Sequence, residues 1–316
     1  MQQDEEAGLP VRAGLAPTGL YLALRQIGRD KLQDAFMQET IARVPAQERI
    51  VHVAREGGRL APATAPAGIV FHVARCGSTL ISQSLKRLDG LVVYAEPQPV
   101  NEILAPPHLW PRAELVAALR ALGAAFARHA RGRYVLKLSS WNTLYCDIVA
   151  EAFPDTPWVL SFRDPVEVGV SLVASPPGWF QGTAEAARGL AARIDPDHAS
   201  QSREEFVARV YGAFCAAAAG LDASRGRLVA YESLPAAVWD IVAPHFSLTV
   251  DASQQERIAE GARRHAKAAI ATVTEFKSDI ASKQSAASAE LRRAIDSLAR
   301  PQLERLTRLH AATMRR

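Results

Sequence analysis

The sequence predicts an α/β fold in which a parallel β-sheet is flanked by helices. Short runs of β-branched and aromatic residues alternate with longer runs rich in alanine, leucine and arginine, and this strand-loop-helix order recurs along the chain. Parallel strands need such crossover helices, which pack back onto the sheet through right-handed connections. An apolar content of 48% over 316 residues is enough for a full hydrophobic core.

The chain is predicted to consist of an N-terminal extension, residues 1–66, and one α/β domain, residues 67–316. Residues 1–18 are charged and contain glycine and proline, so we expect them to be disordered or loosely attached. Residues 21–44 carry apolar residues at broadly helical spacing, which predicts a packing or capping helix. Residues 49–54 alternate weakly and are a candidate strand.

Within the domain, short apolar runs have the composition of buried strands. They are residues 68–73, 91–94, 134–138, 158–162 and 228–231. Helices are predicted from residue 78, at 111–131, at 142–153, at 206–221 and at 234–242, and a helical pattern continues from 251 to 316. Residues 175–200 are a candidate substrate-gating insertion because of their proline and glycine content. Ligands bind at the carboxyl ends of parallel strands, so the residues that follow each run are candidates for a site.

The loop between the first of these strands and its helix is suited to an anion. It contains Arg75, Cys76 and Gly77, and Ser78 and Thr79 open the helix behind it. The glycine lets backbone N–H groups converge, the helix N-terminus adds partial positive charge, and the arginine adds a planar fork of donors. A nucleotide triphosphatase loop has a lysine directly after the glycine. Ser78 occupies that place here, which favours a ligand with no third phosphate and no metal.

This loop, from Arg75 to Thr79, resembles the 5′-phosphosulfate loop of sulfotransferases that use 3′-phosphoadenosine 5′-phosphosulfate (PAPS). Three further segments follow in the order of that family, so the resemblance extends over about residues 68–235 and is closest to the tyrosylprotein sulfotransferases. It implies a P-loop NTPase-like parallel sheet of the sulfotransferase type. It also implies transfer of a sulfuryl group from PAPS, the co-substrate, to a hydroxyl or amine. The sequence names neither the acceptor nor an oligomeric state.

Two residues after the fourth strand are candidates for a second anion contact. Arg163 stands at the strand end, and Ser171 follows it through a helix that Pro165 opens. The resemblance implies that Arg163 and Ser171 hold the 3′-phosphate of PAPS. The alternative is an ordinary surface ion pair between Arg163 and Asp164 or another nearby carboxylate.

Glu96 and Lys137 are the candidate catalytic residues, together with Arg75. Glu96 ends the second strand beside a proline, and a carboxylate there can take the proton of an attacking acceptor. Lys137 is a charge within an apolar strand, which is costly unless it reaches an anion. The resemblance implies that Lys137 and Arg75 stabilise charge on the leaving phosphate. The alternatives are a strand-end glutamate that caps a loop or pairs with Arg75, and a lysine that extends to solvent from a strand end.

The late part of the chain offers weaker candidates. Tyr231 lies in a Y-E-x-L segment that resembles one in many sulfotransferases, where it would contact the adenosine, but a core position is equally consistent with the sequence. The family often places a basic contact to the 3′-phosphate near the C-terminus. Residues of this kind are Arg263, Arg264, Lys267 and Lys277.

Composition excludes several other classes of function. The 3 cysteines form no C-x-x-C pair and the 8 histidines show no metal-ligand spacing, so we expect a reducing compartment and no metal. A net charge of +4 without a basic run, and only 7% aromatic residues, argue against nucleic acid. The polar start of the chain predicts neither a secretory signal nor a membrane anchor, and we expect a cytoplasmic enzyme.

Two functions from other classes stay open. A P-loop kinase or nucleotide hydrolase would require ATP and Mg²⁺, and the missing lysine argues against it. A catalytically silent protein with the same fold would bind a nucleotide or a partner without turnover.

A phosphatase-like nucleophile at Cys76 is disfavoured because Arg75 precedes the cysteine, whereas a phosphatase loop has its arginine afterwards. His72 is expected to be a packed histidine within the strand.

Overall fold

The computed structural model describes residues 7–16, 19–54, 65–105, 110–178, 185–195, 202–262 and 280–314. The strands of these residues are Leu9–Ala16 (β1), Gly19–Arg25 (β2), Glu48–Ala54 (β3), Gly68–His72 (β4), Leu91–Ala95 (β5), Arg133–Lys137 (β6), Trp158–Phe162 (β7) and Gly226–Ala230 (β8). Their α-helices are Met37–Arg43 (α1), Ser78–Leu85 (α2), Gln98–Leu104 (α3), Arg112–Ala130 (α4), Cys146–Ala152 (α5), Pro165–Ala174 (α6), Glu185–Ile194 (α7), Arg203–Ala218 (α8), Ala243–His245 (α9), Ala252–Ala262 (α10), Ile280–Ala286 (α11), Ala289–Ala294 (α12) and Arg300–Met314 (α13).

The predicted parallel sheet is confirmed. It has five strands in the order β5-β6-β4-β7-β8, and every neighbouring pair is parallel. All residues of the central strand β4 are buried. Successive side chains of a strand point to opposite faces, and here Ile69 and Phe71 lie in one hydrophobic cluster while Val70 lies in another. Helices cover both faces, which is why the strands of the sheet are continuous apolar runs.

The strand order places the loop after β4 at a crevice. The chain passes from β4 to β5 on one side of the sheet and later continues with β7 and β8 on the other side. The connections on the two sides of β4 therefore diverge at its carboxyl end. In open parallel sheets this point of divergence is where ligands bind.

Of the predictions for the N-terminal segment, the strand at residues 49–54 is confirmed as β3, and the other two were wrong in their secondary structure. Residues 9–16 are ordered as β1, and residues 21–44 contain the end of β2 and the short helix α1 in place of one long helix. β1, β2 and β3 form an antiparallel sheet in that order. The apolar residues of β1 and β2 recur with the period of a strand, as Leu20 and Leu22 do, and both are buried. Residues 1–6 and 17–18 lie outside the described residues, and the division at residue 66 stays a prediction.

The antiparallel sheet shares its core with the α/β part of the chain. Residues of β1 and β2 belong to the same hydrophobic cluster as α4 and α8. His129, near the end of α4, connects the two parts: its Nε2 lies 2.8 Å from the carbonyl oxygen of Ile27, and its Nδ1 lies 2.7 Å from the hydroxyl of Tyr94. A carbonyl only accepts hydrogen bonds, so Nε2 carries the proton, and the Tyr94 hydroxyl shares its one proton between Nδ1 and the carbonyl oxygen of Phe126 at 3.0 Å. Burial lowers the pKa of His129, which keeps the ring neutral.

Other predicted elements are present with changed detail. The helix expected at 142–153 begins as a 3₁₀ helix, Ser140–Tyr145, before α5. The helix expected at 234–242 contains a π-helical turn, Val238–Val242. Of the proposed gating insertion, the described part includes α7, whereas residues 179–184 and 196–200 lie outside it. Among the helices that the structure describes, none has both the length and the apolar character needed to cross a membrane.

Candidate functional site

A cavity of about 730 Å³ lies at the carboxyl edge of the parallel sheet. The loops after β4, β5, β6, β7 and β8 all contribute residues to its wall. Of the candidates named from the sequence, those that the structure describes line it: Arg75, Cys76, Gly77, Ser78, Thr79, Glu96, Lys137, Arg163, Ser171 and Tyr231. They come together because each lies at or shortly after the end of a strand in one sheet.

The loop after β4 has a backbone that requires glycine at its turn. Gly77 has φ +83°, in the left-handed region, and a Cβ there would lie 2.8 Å from Cδ1 of Leu234 and 2.9 Å from Cδ2 of Tyr231. Arg75 also has a positive φ, +58°. Helix α2 begins directly after Gly77, so its first N–H groups, which have no partner within the helix, lie beside the cavity.

Cys76 is a structural residue of this loop. Its side chain is buried, and burial raises the pKa of its thiol. Its carbonyl oxygen accepts a hydrogen bond of 3.1 Å from the hydroxyl of Ser161 on β7, which holds the loop against the sheet. A buried thiol of raised pKa is a poor nucleophile, in agreement with the expectation from the order of Arg75 and Cys76.

The Arg75 side chain crosses the mouth of the cavity. Its Nη2 donates to the carbonyl oxygen of Ser175 at 2.8 Å and to the hydroxyl of the same residue at 3.2 Å. Ser175 follows α6, so the arginine connects the central loop with the start of the proposed gating insertion. The alternative in which Arg75 pairs with Glu96 is not found.

Glu96 contacts Lys137 instead, and the two form an ion pair at the ends of β5 and β6. The Lys137 side chain is only 1% exposed, so it does not extend to solvent, whereas the Glu96 side chain is 28% exposed. The backbone of Glu96 has φ +52°, and its N–H donates to the carbonyl oxygen of Lys137 at 2.6 Å. Ser139 donates to the second carboxylate oxygen at 3.4 Å, and the Phe36 ring centre lies 5.5 Å from the Lys137 ammonium.

His72 packs behind this pair, as expected. Its Nε2 lies 3.0 Å from the carbonyl oxygen of Leu138 and 3.8 Å from a carboxylate oxygen of Glu96. Because Leu138 offers a carbonyl, Nε2 carries the proton and donates. The nitrogen that could take a proton is therefore Nδ1, which is buried, so His72 is not arranged as the base.

Arg163 pairs with Glu167, a nearby carboxylate of the kind that the alternative allowed but did not name. Its Nε donates to Oε2 of Glu167 at 2.6 Å, and both side chains are 3% exposed. Asp164 is occupied elsewhere, since its side chain caps α6 by accepting from the N–H of Val166 at 2.9 Å. The pair is buried, so it is not the surface ion pair considered as the alternative. The guanidinium carbon lies 4.0 Å from the ring centre of Tyr231.

The cavity has further wall residues that no motif indicated. Phe36 comes from the N-terminal segment, Lys283 comes from α11, and Trp141 comes from the 3₁₀ helix after β6. Trp141 could have been found, because it closely follows the end of a predicted strand. Phe36 and Lys283 are far from any strand end, and their sequence surroundings carry no signal. The candidate C-terminal contacts Arg263, Arg264, Lys267 and Lys277 lie outside the described residues.

Among the residues that the structure describes, no three His, Cys, Asp or Glu side chains lie close enough together to hold a metal ion. Two of the cations at the cavity wall are paired with carboxylates, Lys137 with Glu96 and Arg163 with Glu167.

No protein-family model matches the chain, and no curated protein matches it. Similar solved structures include a sulfotransferase from Alicyclobacillus acidocaldarius, at TM-score 0.45 and 14% identity, covering 79% of this chain and 99% of that one. The sulfotransferase domain of the Synechococcus PCC 7002 olefin synthase has TM-score 0.47 and 16% identity, covering 78% and 98%. A sulfotransferase from Mycobacterium tuberculosis H37Rv has TM-score 0.39 and 16% identity, covering 78% and 77%. Similarity at this level assigns no residue or ligand to this chain.

Proposed function

We propose that this chain is a sulfotransferase that moves a sulfuryl group from PAPS to a hydroxyl or amine acceptor. The observation that carries the proposal is that one cavity contains two separate places suited to anions and, on the same wall, an acid-base pair. The first place is the loop from Arg75 to Thr79 with the N-terminus of α2. The second is formed by Arg163 and Ser171, and the acid-base pair is Glu96 with Lys137.

The residues present fit PAPS. Leu234 and Tyr231 lie so close to Gly77 that no side chain fits at this position. The loop therefore presents backbone without a side chain there, as the binding of a phosphate-like group needs. Arg163 offers donors for the 3′-phosphate, and the Ser171 hydroxyl would become one by turning its proton away from the carbonyl oxygen of Glu167. The Tyr231 ring beside Arg163 offers a flat surface for the base. The cavity volume, about 730 Å³, lies within the range of roughly 300–1,000 Å³ that is typical of small-molecule sites.

When bound, PAPS would supply an electrophilic sulfuryl group. Glu96 accepts the proton of the acceptor at a carboxylate oxygen, which is why this side chain has to stay partly open to the cavity. Lys137 holds a positive charge beside that carboxylate. As Glu96 takes up the proton it no longer balances that charge, so the ammonium becomes a stronger partner for a neighbouring anion. Proton transfer and charge stabilisation are thereby coupled through one contact.

The alternative functions differ in what the loop must bind. A kinase or hydrolase would need the lysine that Ser78 replaces. A silent nucleotide-binding protein would use the same anion contacts but would not need Glu96 to face the cavity. The partly exposed carboxylate favours the enzyme over the silent protein.

The first test is calorimetric titration of the purified chain with adenosine 3′,5′-bisphosphate without metal, and with ATP and Mg²⁺. We expect the bisphosphate to bind more tightly. Arg163→Ala should weaken that binding by tenfold or more, because a charge-assisted hydrogen bond contributes about 1.5–3 kcal/mol.

The arginine variant leaves Glu167 buried without its partner, so Ser171→Ala serves as a milder variant at the same place. It should also weaken the bisphosphate and leave adenosine 5′-phosphate unaffected. Preference for ATP with Mg²⁺ in the unaltered chain would contradict the proposal and favour the kinase function.

A further inference from the structure

Glu167 contacts both residues of the proposed second anion place, although it is not part of the cavity wall. Its carboxylate accepts from Nε of Arg163, and its carbonyl oxygen accepts from the hydroxyl of Ser171 at 2.9 Å. The side chain is buried and lies one helical turn after Arg163. A carboxylate at this position with no further hydrogen-bond donor would oppose the binding of a nearby phosphate by like-charge repulsion.

Gln284 of α11 offsets this repulsion. Its side-chain amide donates to Oδ1 of Asp164 at 3.0 Å and to Oε1 of Glu167 at 3.1 Å. Both partners are carboxylates, which only accept, so the NH₂ group of the amide faces them. Each hydrogen of one neutral amide thus serves one carboxylate. The two acids are satisfied without a second cation that would compete for Glu167.

We propose that Glu167 and Gln284 act together as positioning residues for Arg163, and we name these two residues the clamp. The inference rests on the proposed function, because it concerns recognition of the 3′-phosphate of PAPS. Arg163 carries five N–H donors, and Nε is the donor of the bond of 2.6 Å to Glu167. The Tyr231 ring fixes the plane of the guanidinium from one side. The orientation of the arginine toward the cavity is therefore set by a carboxylate that Gln284 holds in place.

The clamp also attaches α11 to the site. Gln284 is bonded to the start of α6, and its own carbonyl oxygen accepts from Arg292 of α12. Its neighbour Lys283 lines the cavity. The same two contacts that orient Arg163 therefore also bring a lysine of the C-terminal region to the cavity wall.

The test compares affinities for adenosine 3′,5′-bisphosphate and adenosine 5′-phosphate, which differ only in the 3′-phosphate. The dissociation constant for adenosine 5′-phosphate divided by that for the bisphosphate measures 3′-phosphate recognition, and we call this quotient the ratio. We expect Glu167→Gln and Gln284→Ala each to lower this ratio about tenfold, the usual effect of losing a charge-assisted hydrogen bond. Gln284→Glu should lower it further, because it places a third carboxylate beside Asp164 and Glu167. Affinity for adenosine 5′-phosphate should change less than twofold.

Glu304→Gln on the exposed face of α13 is the matched control for the same chemical change and should leave the ratio unaltered. If Glu167→Gln does not fold, the two Gln284 variants decide, since neither leaves Arg163 without its carboxylate. An unaltered chain that does not prefer the bisphosphate would overturn the proposed function itself. If the preference for the bisphosphate survives in the clamp variants, only the clamp is overturned. The same holds if the variants lose affinity equally for both ligands.

Discussion

At Glu96, one neighbour holds both the backbone and the side chain. The N–H of Glu96 donates to the carbonyl oxygen of Lys137, and its carboxylate contacts the ammonium of the same residue. The left-handed backbone at Glu96 costs a residue other than glycine about 1–2 kcal/mol. A conformation of this kind persists where surrounding contacts fix it, and such residues cluster at functional sites.

Glu96→Gln should lower kcat by a factor of about 10²–10⁴, the usual contribution of a general base, with little change in the affinity for adenosine 3′,5′-bisphosphate. The measurement is release of the bisphosphate from PAPS with a panel of phenol, sugar and amine acceptors. Turnover that is unchanged in the variant would rule out Glu96 as the base.

The variant also leaves the buried Lys137 charge without its partner, so its stability has to be separated from its activity. Glu96→Gln combined with Lys137→Met removes both charges. We expect the double variant to regain much of the stability lost in the single one, as seen in urea denaturation, and to stay inactive. Recovery of activity together with stability would mean that the ion pair is structural only.

Individual site residues were predictable where they lie at strand ends. Arg75, Glu96 and Lys137 do so, and a parallel sheet gathers strand ends at one edge. Glu167 was missed although an acid four residues after an arginine on a helix is a recognisable ion-pair spacing. Lys283 could not be found, because its place depends on the docking of α11 onto α6 and not on its local sequence.

At the scale of elements, strand β1 depends on α3. β1 is the edge of its sheet, and its pairing with β2 is irregular between Pro10 and Arg12. The N–H of Ala13 donates to Glu102 of α3 at 2.6 Å, and Nε of Arg12 donates to the other oxygen of the same carboxylate at 3.3 Å. The carboxylate thus protects an edge that could otherwise pair with another chain.

Glu102→Ala should lower the free energy of unfolding by about 1.5–3 kcal/mol, since it removes the charged acceptor of a partly buried backbone N–H. Arg12→Ala is the control, because it removes only the exposed ion pair, and it should cost less than about 1 kcal/mol. Urea denaturation measures both. Equal losses in the two variants would show that the bond to Ala13 contributes little.

The sequence predicted the strands of the parallel sheet well, whereas of the antiparallel sheet it predicted β3 but neither β1 nor β2. The runs of β4 and β7 are apolar except for His72 and Ser161, because helices cover both faces, and such runs are easy to recognise. In β2, the apolar residues Leu22 and Leu24 fit a strand, but together with Ile27 they also fit one side of a helix. Residues 19–25 form a strand because they pair with β1 and β3, and the local sequence contains no information about this pairing.

At the scale of the whole molecule, two buried histidines, His129 and His310, and the half-buried His245 make stability depend on pH. Burial lowers the pKa of His129, His245 and His310. In the unfolded chain a histidine titrates near pH 6.5, so below that value the unfolded state binds more protons than the folded state. Their contribution is fully present above about pH 6.5 and is lost as the pH falls toward the folded values.

We therefore expect the free energy of unfolding to decrease between pH 7.5 and pH 5.5. Each histidine contributes at most about 1.4 kcal/mol per pH unit. His129→Gln should flatten the dependence, whatever its effect on stability at pH 7.5, because it removes one titrating group. Urea denaturation across this range measures both slopes, and stability that is equal or greater at pH 5.5 would contradict the expectation.

Phe36 and Lys283 line the same cavity although one lies near the start of the chain and the other near its end. During synthesis, at about 5–20 residues per second, residue 283 leaves the ribosome roughly 10–40 seconds after the loop at residues 75–79. All strands of the parallel sheet have been made by then. A nascent chain can thus assemble its sheet well before the wall of its cavity is complete. Premature termination before α11 would release a protein with most of its core and an unfinished site.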